Sequence, residues 1–236
     1  GLTISGNILN EYGLALSGSI EELSSYNIDT TNLVNRKPIY YYSNEKNLGP
    51  ANFTNGGQVI LANCNDSVIS NLNISLAFRG ISLLYCNNNT VSENTANDNY
   101  GGIYLEYSDN NNISANIAND NYDGIILKYS DNNNIAGNTA NNNKDDGIYL
   151  EYSDNNNITG TTVNNNKDDG ICLGHSDNNI ILENNINNNT EGIIFYSSSY
   201  NTISNNILIG NNDCFTEKGN CIGNIFENNI CTPLFC

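Results

Sequence analysis

A segment of about twenty-two residues recurs along most of this chain, and that period leaves few folds open. The blocks DNNNISANIANDNYDGIILKYS (residues 109–130), DNNNIAGNTANNNKDDGIYLEYS (131–153) and DNNNITGTTVNNNKDDGICLGHS (154–176) are near copies of one another. A shared Gly-Ile step falls at Gly80, Gly102, Gly124, Gly147, Gly170 and Gly192, at intervals of 22, 22, 23, 23 and 22 residues. Fixed-period self-similarity marks stacked repeat architectures. Short alternating β-branched runs parted by turn residues cannot hold two helices in that length; they suit one coil of a parallel β-helix. In GIYLEYS, Ile103 and Leu105 point one way while Tyr104 and Glu106 point the other, the period of a strand.

Three apolar columns follow. The isoleucine of each Gly-Ile step heads the first, which extends outward to Leu14, Ile39, Val59 and Phe215, so that ten positions fill nearly the whole chain. The second is Val91, Ile113, Ile135, Ile158, Ile181 and Ile203; the third, of smaller residues, is Ala96, Ala118, Ala140, Val163, Ile186 and Leu208. Three inward columns predict three short parallel sheets around a narrow core. Ten coils at about 4.8 Å per strand spacing make a rod roughly 45–50 Å long. The fold expected is all-β, one domain over residues 1–236, with irregular coils and long loops over 18–56 and a cysteine-rich cap over 210–236.

The 54 asparagines would suggest disorder if they were scattered, because Asn suits neither helix interiors nor ordinary strands. They are not scattered. The columns Asn97, Asn119, Asn141, Asn164, Asn187 and Asn99, Asn121, Asn143, Asn166, Asn189, Asn211 are unbroken, and a third reads Asn94, Asn116, Asn138, Thr161, Asn184, Asn206. An amide stacked on an identical amide donates one way and accepts the other, and Asn also tolerates left-handed backbone at corners. The asparagines are read as structural.

The Gly-Ile-x-Leu coils, and the stretch NLVNRKPIYYY followed by GGQVILANCNDSVISNLNIS, resemble the NosD-type β-helix family in its archaeal cell-surface form. That resemblance implies a right-handed, single-stranded parallel β-helix of about ten coils. It also carries the family's label of periplasmic copper binding. The residues give that label little support, since copper favours His, Met or Cys, and the chain has no Met and only His175. That histidine stands in the column Tyr85, Tyr107, Tyr129, Tyr152, where a stacked surface ring is the simpler reading.

Seven cysteines in an acidic chain argue for an oxidising, extracytoplasmic setting. Cys64 and Cys86 lie on adjacent coils, within the reach of a disulfide; the alternative is two buried thiols sharing the column of Ser108, Ser130 and Ser153. Cys214, Cys221, Cys231 and Cys236 crowd the C-terminus, where two disulfides would pin a cap over the terminal sheet edge. Zinc is the rival reading there, although the spacing lacks CxxC. Cys172 is left over in an outward column and is either a candidate for joining chains or an inert surface thiol.

Two carboxylate columns need relief from mutual repulsion. In the first, Asp109, Asp131, Asp154 and Asp177, turns and backbone N–H groups can supply it. The second, Asp123, Asp146, Asp169 and Glu191, has Lys144 and Lys167 close in sequence and is the candidate place for Ca²⁺, a hard ion that takes oxygen ligands. No cofactor is required by the sequence.

The formal charge of −17 argues against a nucleic-acid partner. No stretch approaches the roughly 18 apolar residues of a membrane span. Tyr100, Tyr122, Tyr104 and Tyr149 are candidates for stacking on sugars. Catalytic residues are not assigned, because the carboxylates repeat on every coil and the only arginines are Arg36 and Arg79. The chain starts in phase with a coil, lacks an initiating Met and a signal peptide, and is read as a processed form or a segment of something longer. The function expected is that of a non-catalytic, extracellular structural protein of the cell envelope, self-associating through coil ends into a sheath, layer or fibre. The alternatives are a module binding cell-surface polysaccharide, and a polysaccharide lyase or hydrolase.

Overall fold

The computed structural model describes residues 1–234. The chain winds into the parallel β-solenoid that its period predicts. One sheet has eleven strands, from Ile8–Leu9 to Asp213–Lys218, and a second has eight, from Val68–Ser70 to Ile225–Glu227. The third face comprises a pair, Asn73–Ser75 with Thr95–Asn97, and a four-stranded sheet from Thr162–Asn164 to Ile230–Thr232. Single-residue bridges through Ile117 and Thr139 join these pieces.

Like stacks on like. Ile81, Ile103, Ile125, Ile148, Ile171, Ile193 and Phe215 pair in register down the long sheet. Ile69, Val91, Ile113, Ile135, Ile158, Ile181, Ile203 and Phe226 do so down the second. The inward side chains of all three faces merge into one core. A slip of one residue would turn each apolar column outward, which is what holds the register. The glycine of each Gly-Ile step lets two faces close at a corner: a Cβ on Gly124 would sit 2.4 Å from the Gly147 carbonyl oxygen.

The asparagines divide two duties between neighbours. The buried ones form ladders: Asn116 Oδ1 accepts from both the backbone N–H and Nδ2 of Asn94, each at 3.0 Å, while Asn94 Nδ2 also donates to the Ile69 carbonyl at 3.0 Å. The Asn99 column works similarly. A further buried column, Asn89, Asn111, Asn133, Asn156, Asn179 and Asn201, lies outside the three expected ones and is equally regular. The Asn97 column is half-buried and runs in the opposite sense, each Oδ1 accepting from the next coil's N–H. Left-handed backbone falls on other residues, among them Asn110, Asn132, Asn155 and Asn178 with φ of 58–59°.

The N-terminal region departs from the expected columns. Leu14 does not enter the first one. The long sheet is continued instead by Leu33–Val34, antiparallel to Lys37–Ser43 across a tight turn at Asn35 and Arg36, both left-handed. Tyr40 rather than Ile39 stands beside Val59. The shift by one lets Tyr40 and Tyr42 point inward, where Phe53 of the 3₁₀ turn Pro50–Phe53 meets them edge-on at 6.1 and 5.7 Å and fills the end of the core. Part of the segment before residue 29 packs on the outer face of the long sheet. It includes a short helix, Ile20–Ser24, started by reciprocal capping in which Glu22 N–H donates to Ser19 Oγ and Ser19 N–H donates to Glu22 Oε2. Its Leu23 joins Tyr41, Ile60, Leu84, Tyr104 and Ile126 in a second apolar cluster, which ends against the partly buried Tyr149.

Two cysteine expectations change. Cys64 and Cys86 are unbridged buried thiols that occupy the serine column. Cys64 N–H donates to Cys86 Sγ at 3.3 Å, and Cys86 N–H donates to Ser108 Oγ at 2.9 Å. Each thiol also donates to the carbonyl two residues earlier, as the Ser108 hydroxyl does. At the C-terminus the cap is no irregular loop but a further coil in register, with Cys214 and Cys231 joined across it by a disulfide. Cys221 is half-buried and its thiol donates to the Lys218 carbonyl at 3.4 Å; Cys236, the fourth of the C-terminal cysteines, lies outside the described residues.

Candidate functional site

The solenoid loses its regularity most clearly in one place. The two 23-residue intervals each gain their extra residue at the corner NNNKDDG, which adds Asp145 and Asp168 beside Asp146 and Asp169. On the next strand, Asp169–Gly174, the outward column positions change character. Cys172 pairs with Tyr149, and Gly174 lies between Glu151 and Tyr196, so a side chain is missing where its neighbours carry large ones. A cleft of about 460 Å³ opens there, lined by both pairs of aspartates together with Asp123, Tyr149, Cys172, His175 and Tyr196.

The second acidic column lines this cleft only in part. Asp146 N–H donates to Asp123 Oδ1 at 3.3 Å, and Asp169 N–H donates to Asp146 Oδ1 at 3.1 Å. Glu191 does not line it; its Oε2 accepts the Thr216 hydroxyl. Burial raises Asp123 to about 6. Burial, reinforced by neighbouring carboxylates, raises Asp146 to about 8 and Asp169 to about 7. Lys144 and Lys167 do not neutralise them: among the described residues the one salt bridge joins Lys128 and Glu151 at 2.6 Å. The first acidic column behaves as the turns imply, with Asp109, Asp131 and Asp154 each accepting the backbone N–H of the next aspartate at 2.7 Å.

Cys172 is not an exposed thiol. It is 4 % exposed at the cleft floor, too deep to meet another chain, because the shorter Cys sits beside the larger Tyr149. Burial and the surrounding aspartates push its thiol well above the ordinary range. Its Sγ and one oxygen each of Asp146 and Asp169 lie within 4.8 Å of one another, and so do oxygens of Asp145, Asp146 and Asp168. Asp145 and Asp168 belong to neither acidic column, although the change of interval from 22 to 23 signals their place.

The ladder tyrosines are exposed, but stacking covers the ring faces they turn to one another. His175 continues the ladder Tyr85, Tyr107, Tyr129, Tyr152, with rings 4.8–5.1 Å apart and nearly parallel, so the inner faces cover one another. Tyr100 stacks between Phe78 and Tyr122. Tyr104 is buried beneath the Arg79 guanidinium, 3.2 Å from its ring centroid, and Lys128 Nζ stands 5.6 Å from that of Tyr149.

The sequence model of one family, described as periplasmic copper-binding protein (NosD), matches residues 30–230. The chain belongs to the NosD family. Among curated proteins none matches this NosD chain. Solved structures similar to it include the periplasmic alginate epimerase AlgG, at 18 % identity and TM-score 0.65 over 99 % of this chain and 69 % of that one. The Dettilon tailspike protein follows at 18 % identity and TM-score 0.67, over 98 % of this chain and 54 % of its own, so the NosD chain spans little more than half of it. An alginate lyase from Paenibacillus matches at 12 % identity and TM-score 0.57, over 78 % of this chain and 74 % of that one. At these identities the likeness is one of fold.

The copper in the family description is not matched by the donors in the cleft. Copper favours imidazole, thioether and thiolate ligands, whereas both donor groups here are dominated by carboxylates and His175 lies on the Tyr152 ring. Among the described residues no helix is long and apolar enough to cross a membrane.

Proposed function

We propose that this NosD chain is a non-catalytic, extracytoplasmic β-helix that binds an uncharged, hydroxyl-rich polysaccharide in the cleft over residues 123–196. The observation that carries the reading is the coincidence of two corner insertions with the Cys172 and Gly174 departures at one place within the regular coils that follow residue 58. Periodic features are explained by folding alone; a local departure that opens a cleft is not. The walls present carboxyl and phenol oxygens, from Asp145, Asp168, Tyr149 and Tyr196, which suit hydrogen bonds to sugar hydroxyls. Stacking contributes less, since the aromatic ladders cover their own faces.

The likeness to an alginate epimerase and an alginate lyase supports a polysaccharide ligand. The formal charge of −17 and the crowded carboxyls disfavour a polyuronate such as alginate and favour a neutral polymer. The residues that line the cleft include no Arg or Lys to serve as the base of a lyase, which supports binding over elimination. The Cys214–Cys231 disulfide supports an oxidising compartment.

Calorimetric titration with neutral and uronate polymers tests the proposal. Gly174→Tyr fills the cleft without crowding the backbone, as the nearest atoms to an added Cβ are 3.7 Å away. The expected result is binding of a neutral polymer that this substitution weakens at least about tenfold, a loss of about 1.4 kcal/mol. Uronate binding untouched by the substitution, or release of cleaved or epimerised product, would refute it. Self-association through coil ends is a second reading, supported by Ile225 and Ile230 of the last coil, which are 48 % and 56 % exposed. A monomeric native mass would remove that reading.

A further inference from the structure

The cleft floor holds a combination that folding does not explain. Asp169 is 5 % exposed, yet its carboxylate accepts no hydrogen bond among the described residues, although it reaches into the cleft. Asp146, one coil away, uses one oxygen for the Asp169 N–H and leaves the other without a hydrogen bond. The Cys172 thiol, also buried, makes no hydrogen bond, unlike Cys64 and Cys86, which donate to carbonyls. A carboxylate in such a place is costly to ionise, and it is relieved either by holding its proton or by a cation that enters from the cleft.

We propose that Asp146, Asp169 and Cys172 bind one divalent metal ion of borderline softness, of the zinc class, with its remaining position open to the cleft. Their donor atoms already lie within 4.8 Å of one another. Ligands at about 2.0–2.3 Å around a tetrahedral ion stand somewhat closer, so small side-chain rotations complete the set. The thiolate selects against calcium and magnesium, which take oxygen ligands. The neighbouring triplet Asp145, Asp146 and Asp168 offers oxygens alone and is the competing hard-ion site. Three protein ligands and an open position are the arrangement of a zinc that also meets an external ligand. The inference does not rest on the polysaccharide reading, and the titration below contains no glycan.

The test titrates the full chain, freed of metal by chelation and dialysis without thiol reductant, with Zn²⁺, Ca²⁺ and the spectroscopic probe Co²⁺. The expected result is one Zn²⁺ per chain and, with Co²⁺, a near-ultraviolet thiolate-to-metal charge-transfer band. Cys172→Ser abolishes that band and Cys221→Ser does not. Changing a group beyond the ligands commonly costs metal affinity about 10–100-fold, so Cys172→Ser and Asp169→Asn each weaken Zn²⁺ at least about tenfold. Circular dichroism of both variants without metal checks that the solenoid is intact; should Asp169→Asn fail to fold, the Cys172→Ser arm decides alone. A charge-transfer band that persists in Cys172→Ser overturns the proposal. So does Ca²⁺ binding in preference to Zn²⁺ with affinity unchanged in Cys172→Ser, or the absence of Zn²⁺ binding.

Discussion

The Asp169 backbone N–H donates to Asp146 Oδ1 at 3.1 Å, while the Asp169 carboxylate itself accepts nothing among the described residues. The acidic column therefore links Asp123 to Asp146 to Asp169 through backbone N–H donors and stops there; the Glu191 side chain instead accepts the Thr216 hydroxyl. A ladder that ends on a buried, unpartnered carboxyl is a local weakness in the metal-free chain. Asp169→Asn keeps the shape and removes the charge. It is expected to raise stability without metal by about 1 kcal/mol at neutral pH and above, where the Asp169 carboxyl, raised to about 7 by burial and neighbouring carboxylates, is costly to ionise. Equilibrium urea unfolding in the presence of a chelator measures this.

Thr161 interrupts the column Asn94, Asn116, Asn138, Thr161, Asn184. Elsewhere each of these backbone N–H groups finds the next amide oxygen, as Asn116 finds Asn138 Oδ1 at 2.9 Å. Asn138 Nδ2 keeps its bond to the Ile113 carbonyl, but Thr161 has no Oδ1 to offer the Asn138 N–H. Thr161→Asn restores the acceptor and should add about 0.5–1.5 kcal/mol to stability. Removing an intact member, as in Asn143→Ala, orphans the Asn121 N–H and costs about 1–3 kcal/mol. Chemical denaturation of the two variants should therefore shift in opposite directions.

Tyr41 sits under the N-terminal segment and donates its hydroxyl to the Leu23 carbonyl. Burial, then the nearby Cys64, raises it from 10.0 to about 12. A raised folded value means that between pH 10 and 12 the folded chain keeps a proton the unfolded chain releases. Tyr41 thus supports the fold fully below pH 10 and loses that contribution as pH rises toward 12. Tyr41→Phe should cost about 1 kcal/mol at pH 7 for the lost hydrogen bond, and should flatten this part of the alkaline limb of a pH–stability curve.

The Cys214–Cys231 disulfide closes a loop of sequence separation 17 in the last coil. By the chain-entropy account, opening such a loop costs about 3 kcal/mol. In a solenoid each coil contacts only its neighbours, so the effect should concentrate near the end. Hydrogen exchange after reduction should show lost protection over 213–232 and near-native protection over 103–150.

The period, the three apolar columns and the Asn94 and Asn99 ladders were legible from residue order alone, because in a one-dimensional stack each side chain's nearest neighbour is its own counterpart one coil away. Ile103 meets Ile125 for no reason beyond the interval of 22. The same logic places His175 on Tyr152. It fails wherever a residue answers to something outside its column. Tyr40 displaced Ile39 because Phe53 arrives from a loop to fill the core end, and Leu14 was drawn away with the segment that covers Tyr41 and Tyr104. Cys64 and Cys86 have a spacing that suits a bridge equally well; their N–H and carbonyl partners place them as serine surrogates. Tertiary structure also decided the cleft. The sequence by itself determined the solenoid and marked where two coils lengthen, because register depends only on spacing. Only the packed chain decided that the Asp145–Asp146 and Asp168–Asp169 corners, Cys172 and the empty side of Gly174 face one hollow, because that depends on which way a corner turns and on what covers the sheet beside it.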